Sequence, residues 1–138
     1  MRICIDSNIF ILGITDADAD ASALMDMLSQ LSVVVPRLVV VETVRNLAPI
    51  GMDKQFFATI GEATRFHIVD ASPPPELIEK YVVLGLPAKA DALIGAFAEW
   101  IGVQYLISDH RHFLSLTTEA FEVLRPGEFL HRWRAGTL

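Results

Sequence analysis

Cysteine is almost absent from the chain: Cys4 stands alone, so disulfides contribute nothing to its stability. Its place inside an apolar stretch reads as a small buried hydrophobe rather than a nucleophile or ligand. No apolar run reaches the roughly 18 residues that cross a bilayer. The amino terminus also lacks the basic, apolar and cleavage regions of a signal peptide, so a cytoplasmic protein with no membrane partner is expected. Cations are few, 11 Lys and Arg against 17 Asp and Glu, for a formal charge of −6. That balance excludes a protein that holds nucleic acid on a broad basic surface. It does not exclude acids gathered at a metal site, where a divalent cation reverses the local sign. Phosphate-cradling glycine loops and a Gly-x-Ser-x-Gly elbow are also missing, as are internal repeats, low-complexity runs and linkers.

What is present is a core. With 138 residues, 52% of them hydrophobic, the chain is expected to form a single domain over 1–138. Such a chain buries about two thirds of its unfolded surface. Ile3, Cys4 and Ile5 form a continuous apolar run of the kind found in a parallel strand covered on both faces. Further strands are expected at Ser32–Pro36, Phe66–Asp70, Val103–Ser108 and Glu122–Arg125. Helices are expected over Asp16–Gln30, Arg37–Leu47, Asp53–Arg65, Glu76–Leu84, Ala88 to a stop at Gly102, and Pro126–Trp133. The Arg37 segment is ambiguous because its consecutive valines favour strand, and the proline in its first turn favours helix. Strands alternating with helices give a three-layer α/β/α domain around a central parallel sheet.

The carboxylates carry the chemistry. Asp6 follows the first strand directly, at the edge where open α/β sheets place their sites. Ser7 and Asn8 beside it suit a strand-to-helix turn. Glu42 lies on the Arg37 helix between apolar neighbours; either it pairs with Arg45 at i,i+3, worth a few tenths of a kcal/mol, or it is held at the edge of a buried face for a purpose. Asp91 complements a helix dipole in a first turn. It also lies one turn before Gly95, on a face of small residues (Ala92, Gly95, Ala96) expected to let the helix approach the sheet. An unpaired carboxylate pointing inward costs several kcal/mol, which a cation removes. The strand ending at Ser108 runs into Asp109, His110, Arg111 and His112, repeating the strand-then-acid pattern of Asp6.

Other polar clusters have simpler explanations. Asp16, Asp18 and Asp20 lack the glycine and distal glutamate of a calcium loop and read as capping residues. His67 has no neighbouring ligand partners. Phe56, Phe57 and Ile60 form an apolar stripe, and the tail His131-Arg132-Trp133-Arg134 suits either nucleic-acid contact or a helix packing Phe129, Leu130 and Trp133 inward.

Together, Ile-Asp-Ser-Asn-Ile-Phe at the amino terminus, Val-Glu-Thr-Val around Glu42, Ala-Asp-Ala-Leu-Ile-Gly-Ala around Asp91, Leu-Ile-Ser-Asp-His-Arg-His-Phe and the closing Pro-Gly-Glu-Phe resemble the PIN domain. The likeness extends over the whole chain. It implies a divalent-metal-dependent endoribonuclease using Mg²⁺ or Mn²⁺, most often the toxin of a VapBC-type toxin–antitoxin pair. Its partners would be an RNA substrate and a cognate antitoxin, with a homodimer to which the apolar Val82, Val83 and Leu84 lend a surface. On the matching positions Asp6, Glu42 and Asp91 would be catalytic metal-site acids, with Asn8 and Ser108 as polar supports.

One position departs from the family. Its fourth acid stands two residues after Thr or Ser and three before Phe, a spacing that selects His110 here and leaves Asp109 one place early. Either the strand end shifts so that Asp109 takes the role, or three acids suffice; Asp109 is the expectation, with His110 beside it to bind phosphate or a softer metal such as Mn²⁺. A His110–His112 zinc pair is not expected, since two histidines on one short segment do not complete a tetrahedron. The same departure leaves a second reading, a catalytically weak or inactive PIN-like module that binds RNA or protein. A phosphoacceptor receiver domain is excluded because Asp6 lacks an acidic neighbour and no lysine follows Lys89.

Overall fold

The structure, a computed structural model describing residues 1–138, places the first strand at the centre. Five parallel strands, β1 (Ile3–Ile5), β2 (Val33–Pro36), β3 (Phe66–Val69), β4 (Tyr105–Ile107) and β5 (Glu122–Leu124), lie in the order β3-β2-β1-β4-β5. Ile3, Cys4 and Ile5 pair with Tyr105, Leu106 and Ile107 of β4, and Ile3 faces Val33 of β2 on the other side. All three β1 residues are fully buried, as a strand covered on both faces requires. From β1 the chain winds outward through β2 and β3, then crosses back to β4. The carboxyl ends of β1 and β4 therefore flank the point where the winding reverses, the place at which sheets of this kind open a crevice.

Eight α-helices complete the three layers: α1 (Ser7–Ile14), α2 (Ala19–Asp26), α3 (Arg37–Leu47), α4 (Asp53–Gly61), α5 (Pro75–Val83), α6 (Ala90–Ile101), α7 (Arg111–Leu114) and α8 (Pro126–Ala135). Helices α1 to α4 pack against one another, with α8 docked on α2, while α5 and α6 pair with each other. The helix expected over Asp16–Gln30 is shorter. Asp18 accepts from Ala21 N at 2.9 Å and caps α2, so Asp16 lies outside it and Asp20 in its first turn, and a turn of 3₁₀ helix takes up Leu28–Gln30. Helix α4 stops at Gly61, short of the expected Arg65. Within it Phe56 and Ile60 are buried but Phe57 faces solvent, which removes Phe57 from the stripe. The closing helix buries Phe129 and Leu130 and stacks Trp133 on Phe129, while Arg132 is tied to Glu122 and Glu128. Packing accounts for that tail. No helix is long and apolar enough to cross a membrane.

The small residues of α6 serve a different neighbour from the one expected. A methyl group at Gly95 would lie 2.7 Å from Leu86 Cδ1 and 2.9 Å from Tyr81 Cδ1, so the close approach is to α5 and the turn after it rather than to the sheet. Tyr81 is fully buried, and its hydroxyl meets Glu99 and Thr118. A second close approach joins α1 to α2, where a methyl at Gly13 would lie 2.5 Å from Met25 Cγ and 2.7 Å from the Ala21 carbonyl oxygen.

Because the obstacle at Gly13 includes main chain, Gly13→Ala must separate the two helices. The ordinary gain of about 0.5–1 kcal/mol for replacing a mid-helix glycine is overridden, and a net loss of about 1–3 kcal/mol is expected. Urea denaturation checks this: the midpoint should fall with an unchanged slope, and an unchanged or raised midpoint would refute the close packing.

Candidate active site

Asp6 is the hinge between sheet and helix. Its backbone N–H donates to the Ile107 carbonyl at 3.0 Å, closing the β1–β4 pairing. Its side chain then turns to cap α1, with Oδ1 accepting from Ser7 N at 2.8 Å. The other oxygen, Oδ2, accepts from the Ser108 hydroxyl at 3.0 Å. Ser108, fully buried at the end of β4, accepts in turn from His110 N at 3.1 Å. That acceptance directs the Ser108 proton towards Asp6, so the first turn after β4 and the first turn after β1 are locked to one carboxylate. The N-terminus of α1 favours negative charge there.

Glu42 and Asp91 converge on the same place from α3 and α6. Burial raises the Asp6 carboxyl above its ordinary range; the hydrogen bonds from Ser108 and Ser7 oppose the rise, while the Asp91 charge adds to it. Glu42 is raised first by burial and then by the charges of Asp6 and Asp91, with Arg45 acting against them. Glu42 makes no ion pair with Arg45, which removes the simple i,i+3 explanation for it. Its Oε1 is buried without any hydrogen-bond partner. Asp91, partly buried, has Oδ2 3.5 Å from Nδ1 of His112, and that nitrogen is the other buried side-chain atom left without a partner. Both orphaned atoms thus belong to this one cluster, and burying a polar group unsatisfied costs about 1–3 kcal/mol.

Asp109 and His110 separate. Asp109 is exposed, accepts from Asn8 Nδ2 at 3.1 and 3.3 Å, and lines a cleft with Asp18, Asp20, Arg125 and Glu128. His110, also exposed, lies instead on the side of the acids, close enough to act on Asp6. Asp91, His110 and His112 each offer a ligand atom, all within 4.8 Å of one another. The sequence alone sets His112 aside as one of two histidines on a short segment; it does not place Asp91 beside them as a third donor. The available signal was a histidine two places beyond His110 and next to Phe113, whose complete burial anchors the segment.

Of the chain's cations, Arg37 is bound to Asp70, and Arg132 to Glu122 and Glu128. Arg45, Lys89, Arg111, Arg125 and Arg134 carry no ion pair. Arg45 is close enough to act on Glu42, Lys89 precedes Asp91 by two residues, and Arg111 lies between the two histidines.

Comparison with known proteins gives a consistent result. The family model described as PIN domain matches residues 3–117. No curated protein matches the chain. Among solved structures it is similar to a chain in the crystal structure of VapBC2 from Rickettsia felis bound to a DNA fragment from their promoter, with 14% identity, 91% of this chain and 98% of that chain covered, and a TM-score of 0.62. It is also similar to PAE2754 from Pyrobaculum aerophilum, with 16% identity, 98% and 96% coverage, and a TM-score of 0.69. At such identities the likeness is one of fold.

The raised carboxyls set a pH dependence. Between the ordinary carboxylate range and their raised values, Asp6 and Glu42 hold protons in the folded chain that the unfolded chain has released. Stability of the metal-free protein therefore falls as pH rises through that window. Glu42→Gln should flatten the fall and raise the melting temperature at neutral pH, by no more than about 1 kcal/mol because solvent screens a half-exposed group. Calorimetry from pH 4 to 8 without metal checks it, and a variant less stable than its parent at neutral pH would contradict the repulsion.

Proposed function

The chain belongs to the PIN domain family, and from that premise we propose that it is a divalent-metal-dependent endoribonuclease that hydrolyses RNA phosphodiester bonds, the toxin of a type II toxin–antitoxin pair. The observation that carries the reading is the cluster's own imbalance. Three carboxylates share one crevice, two of them raised in pKa, and one buried carboxylate oxygen has no donor. A hard divalent cation such as Mg²⁺ or Mn²⁺ matches that donor set.

Asp6, Glu42 and Asp91 are the proposed ligands, with Asp109 entering from the rim, where Asn8 holds it. When bound, the cation supplies an activated water and neutralises charge on the phosphodiester. The protein's part is preorganisation. Ser108 satisfies one Asp6 oxygen and α1 the other, so the carboxylate is fixed in orientation before substrate arrives. His110 places a second polar group against Asp6. The unpaired Arg45, Lys89 and Arg111 stand around the acids, and we assign them to the RNA phosphates that an acidic chain would otherwise repel. A crevice with acidic walls suits single-stranded or looped RNA rather than a duplex. For partners, a small antitoxin whose basic or apolar segment covers the crevice fits the charge, and the exposed Val83 and Leu84 offer a surface for a homodimer. A cytoplasmic site of action follows from that role.

Asp91→Asn removes one shared charge while keeping shape. It should lower Mn²⁺-supported cleavage of single-stranded RNA by about 100-fold or more, the scale of losing a charge-stabilising group, and abolish thermal stabilisation by Mn²⁺ while circular dichroism stays unchanged. Asp6→Asn should behave alike. Cleavage by either variant equal to that of the parent would reject the enzyme. A parent with neither turnover nor stabilisation would favour the inactive binding module, to which the histidine at position 110 already lends support.

A further inference from the structure

The acids explain one orphaned atom and leave the other. His112 Nδ1 is buried without a hydrogen-bond partner, and its nearest charged neighbour, Asp91 Oδ2, is 3.5 Å away. That separation exceeds the 2.7–2.9 Å typical of a charge-assisted hydrogen bond, so a closed ion pair does not account for it. The His110 ring lies 4.7 Å from the His112 ring between centroids, tilted 47°, and the His112 N–H donates to His110 Nδ1 at 3.2 Å, which sets the spacing of the pair. Phe113, directly after them, is fully buried and holds the segment in place.

We propose that Asp91, His110 and His112 form a nitrogen-bearing metal subsite that takes a borderline transition ion, of the Co²⁺, Ni²⁺ or Zn²⁺ class, in preference to Mg²⁺. It deepens the endoribonuclease reading and rests on it for the second, all-oxygen set to which Asp91 also belongs. Two histidines on one short segment are too few for a site, but Asp91 arrives from α6 as a third protein donor, and three protein donors with water complete an open coordination sphere. Donor atoms on a tetrahedral ion with bonds of about 2.1 Å lie roughly 3.4 Å apart; the three donors lie within 4.8 Å of one another, and side-chain rotation brings them in by up to about 1.4 Å. Imidazole nitrogen is a poor donor for Mg²⁺, which demands oxygen, and a good one for later divalent ions. The two imidazoles beside Asp91 therefore change which ion this part of the site selects.

The test reads ligation rather than turnover. The tag-free full chain, stripped with a chelator and dialysed, is titrated with Co²⁺ by its visible d–d absorption and with Mg²⁺ by calorimetry. Co²⁺ is expected to bind at least about ten-fold more tightly than Mg²⁺, and His112→Gln and His110→Asn are each expected to weaken Co²⁺ about ten-fold or more and alter its spectrum. His131→Gln, at an exposed position on α8, should change neither. Co²⁺ affinity in both site variants within about two-fold of the parent overturns the subsite, because loss of a ligand costs far more. If a variant fails to fold, X-ray absorption on the Co²⁺-loaded parent decides: imidazole scattering around the ion supports the subsite, and its absence overturns it. Weakened Co²⁺ binding in the variants of a parent that cleaves no RNA supports the subsite and overturns the enzyme. Mg²⁺-dependent cleavage with unaltered Co²⁺ binding in the variants does the reverse.

Discussion

Burial of carboxylates that converge from the end of β1, from α3 and from α6, with their charges added to it, is the constraint on which the rest of this molecule turns. Two like charges a few ångströms apart in a partly desolvated crevice each disfavour the other's ionisation, and the protein adds burial to both Asp6 and Glu42. A chain selected only for stability would place apolar residues here, since replacing buried charges by hydrophobes is commonly neutral or stabilising. The surroundings instead hold the charges in place: a helix N-terminus on one Asp6 oxygen, a fully buried serine on the other, and a backbone N–H fixing the serine. Local stability is given up by keeping these carboxylates together.

The sheet makes that arrangement inexpensive in chain terms. Because β1 is central and its neighbours are β2 and β4, residues about a hundred positions apart meet at a single edge: Asp6 with Ser108, and Asn8 with Asp109. Asp6 does two jobs, ending the strand pairing through its backbone and capping α1 through its side chain. Changes at Asp6 will therefore touch stability as well as chemistry, whereas Asp91 and Glu42 lie within helices that do not depend on them for a cap. The two halves of the crevice also differ in donor chemistry, oxygen around Asp6 and Glu42, nitrogen beside Asp91 at His110 and His112.

Much of this was legible in the residues before any coordinates. A short apolar run stopping on Asp6 marks a buried parallel strand and its functional end, and the same pattern at Ser108–Asp109 marks its partner. Glu42 was legible only as an open choice between a surface acid paired with Arg45 and an acid held for a purpose, and its missing ion pair shows in the structure alone. Partners in space were not legible. The stripe of small residues on α6 says that something comes close, but only the packing of Tyr81 and Leu86 on Gly95 says what. Likewise spacing alone left Asp109 and His110 to compete. The orientation of the turn after β4, set by Ser108 and by the burial of Phe113, directs Asp109 to Asn8 and brings the exposed His110 and the partly buried His112 beside Asp91, and no propensity rule reports such an orientation. The limits of α2 were misplaced because Asp18 caps its start and a 3₁₀ turn at Leu28–Gln30 follows its end.

Whether the crevice is electrostatically short of a cation is open to direct reading by carboxyl ¹³C NMR, following the side chains of Asp6 and Glu42 through a pH titration of the metal-free chain with and without Mg²⁺. Both are expected to titrate above the ordinary carboxylate range without the ion and to drop well below those values when it is added. Titration at ordinary values, indifferent to Mg²⁺, would contradict the account.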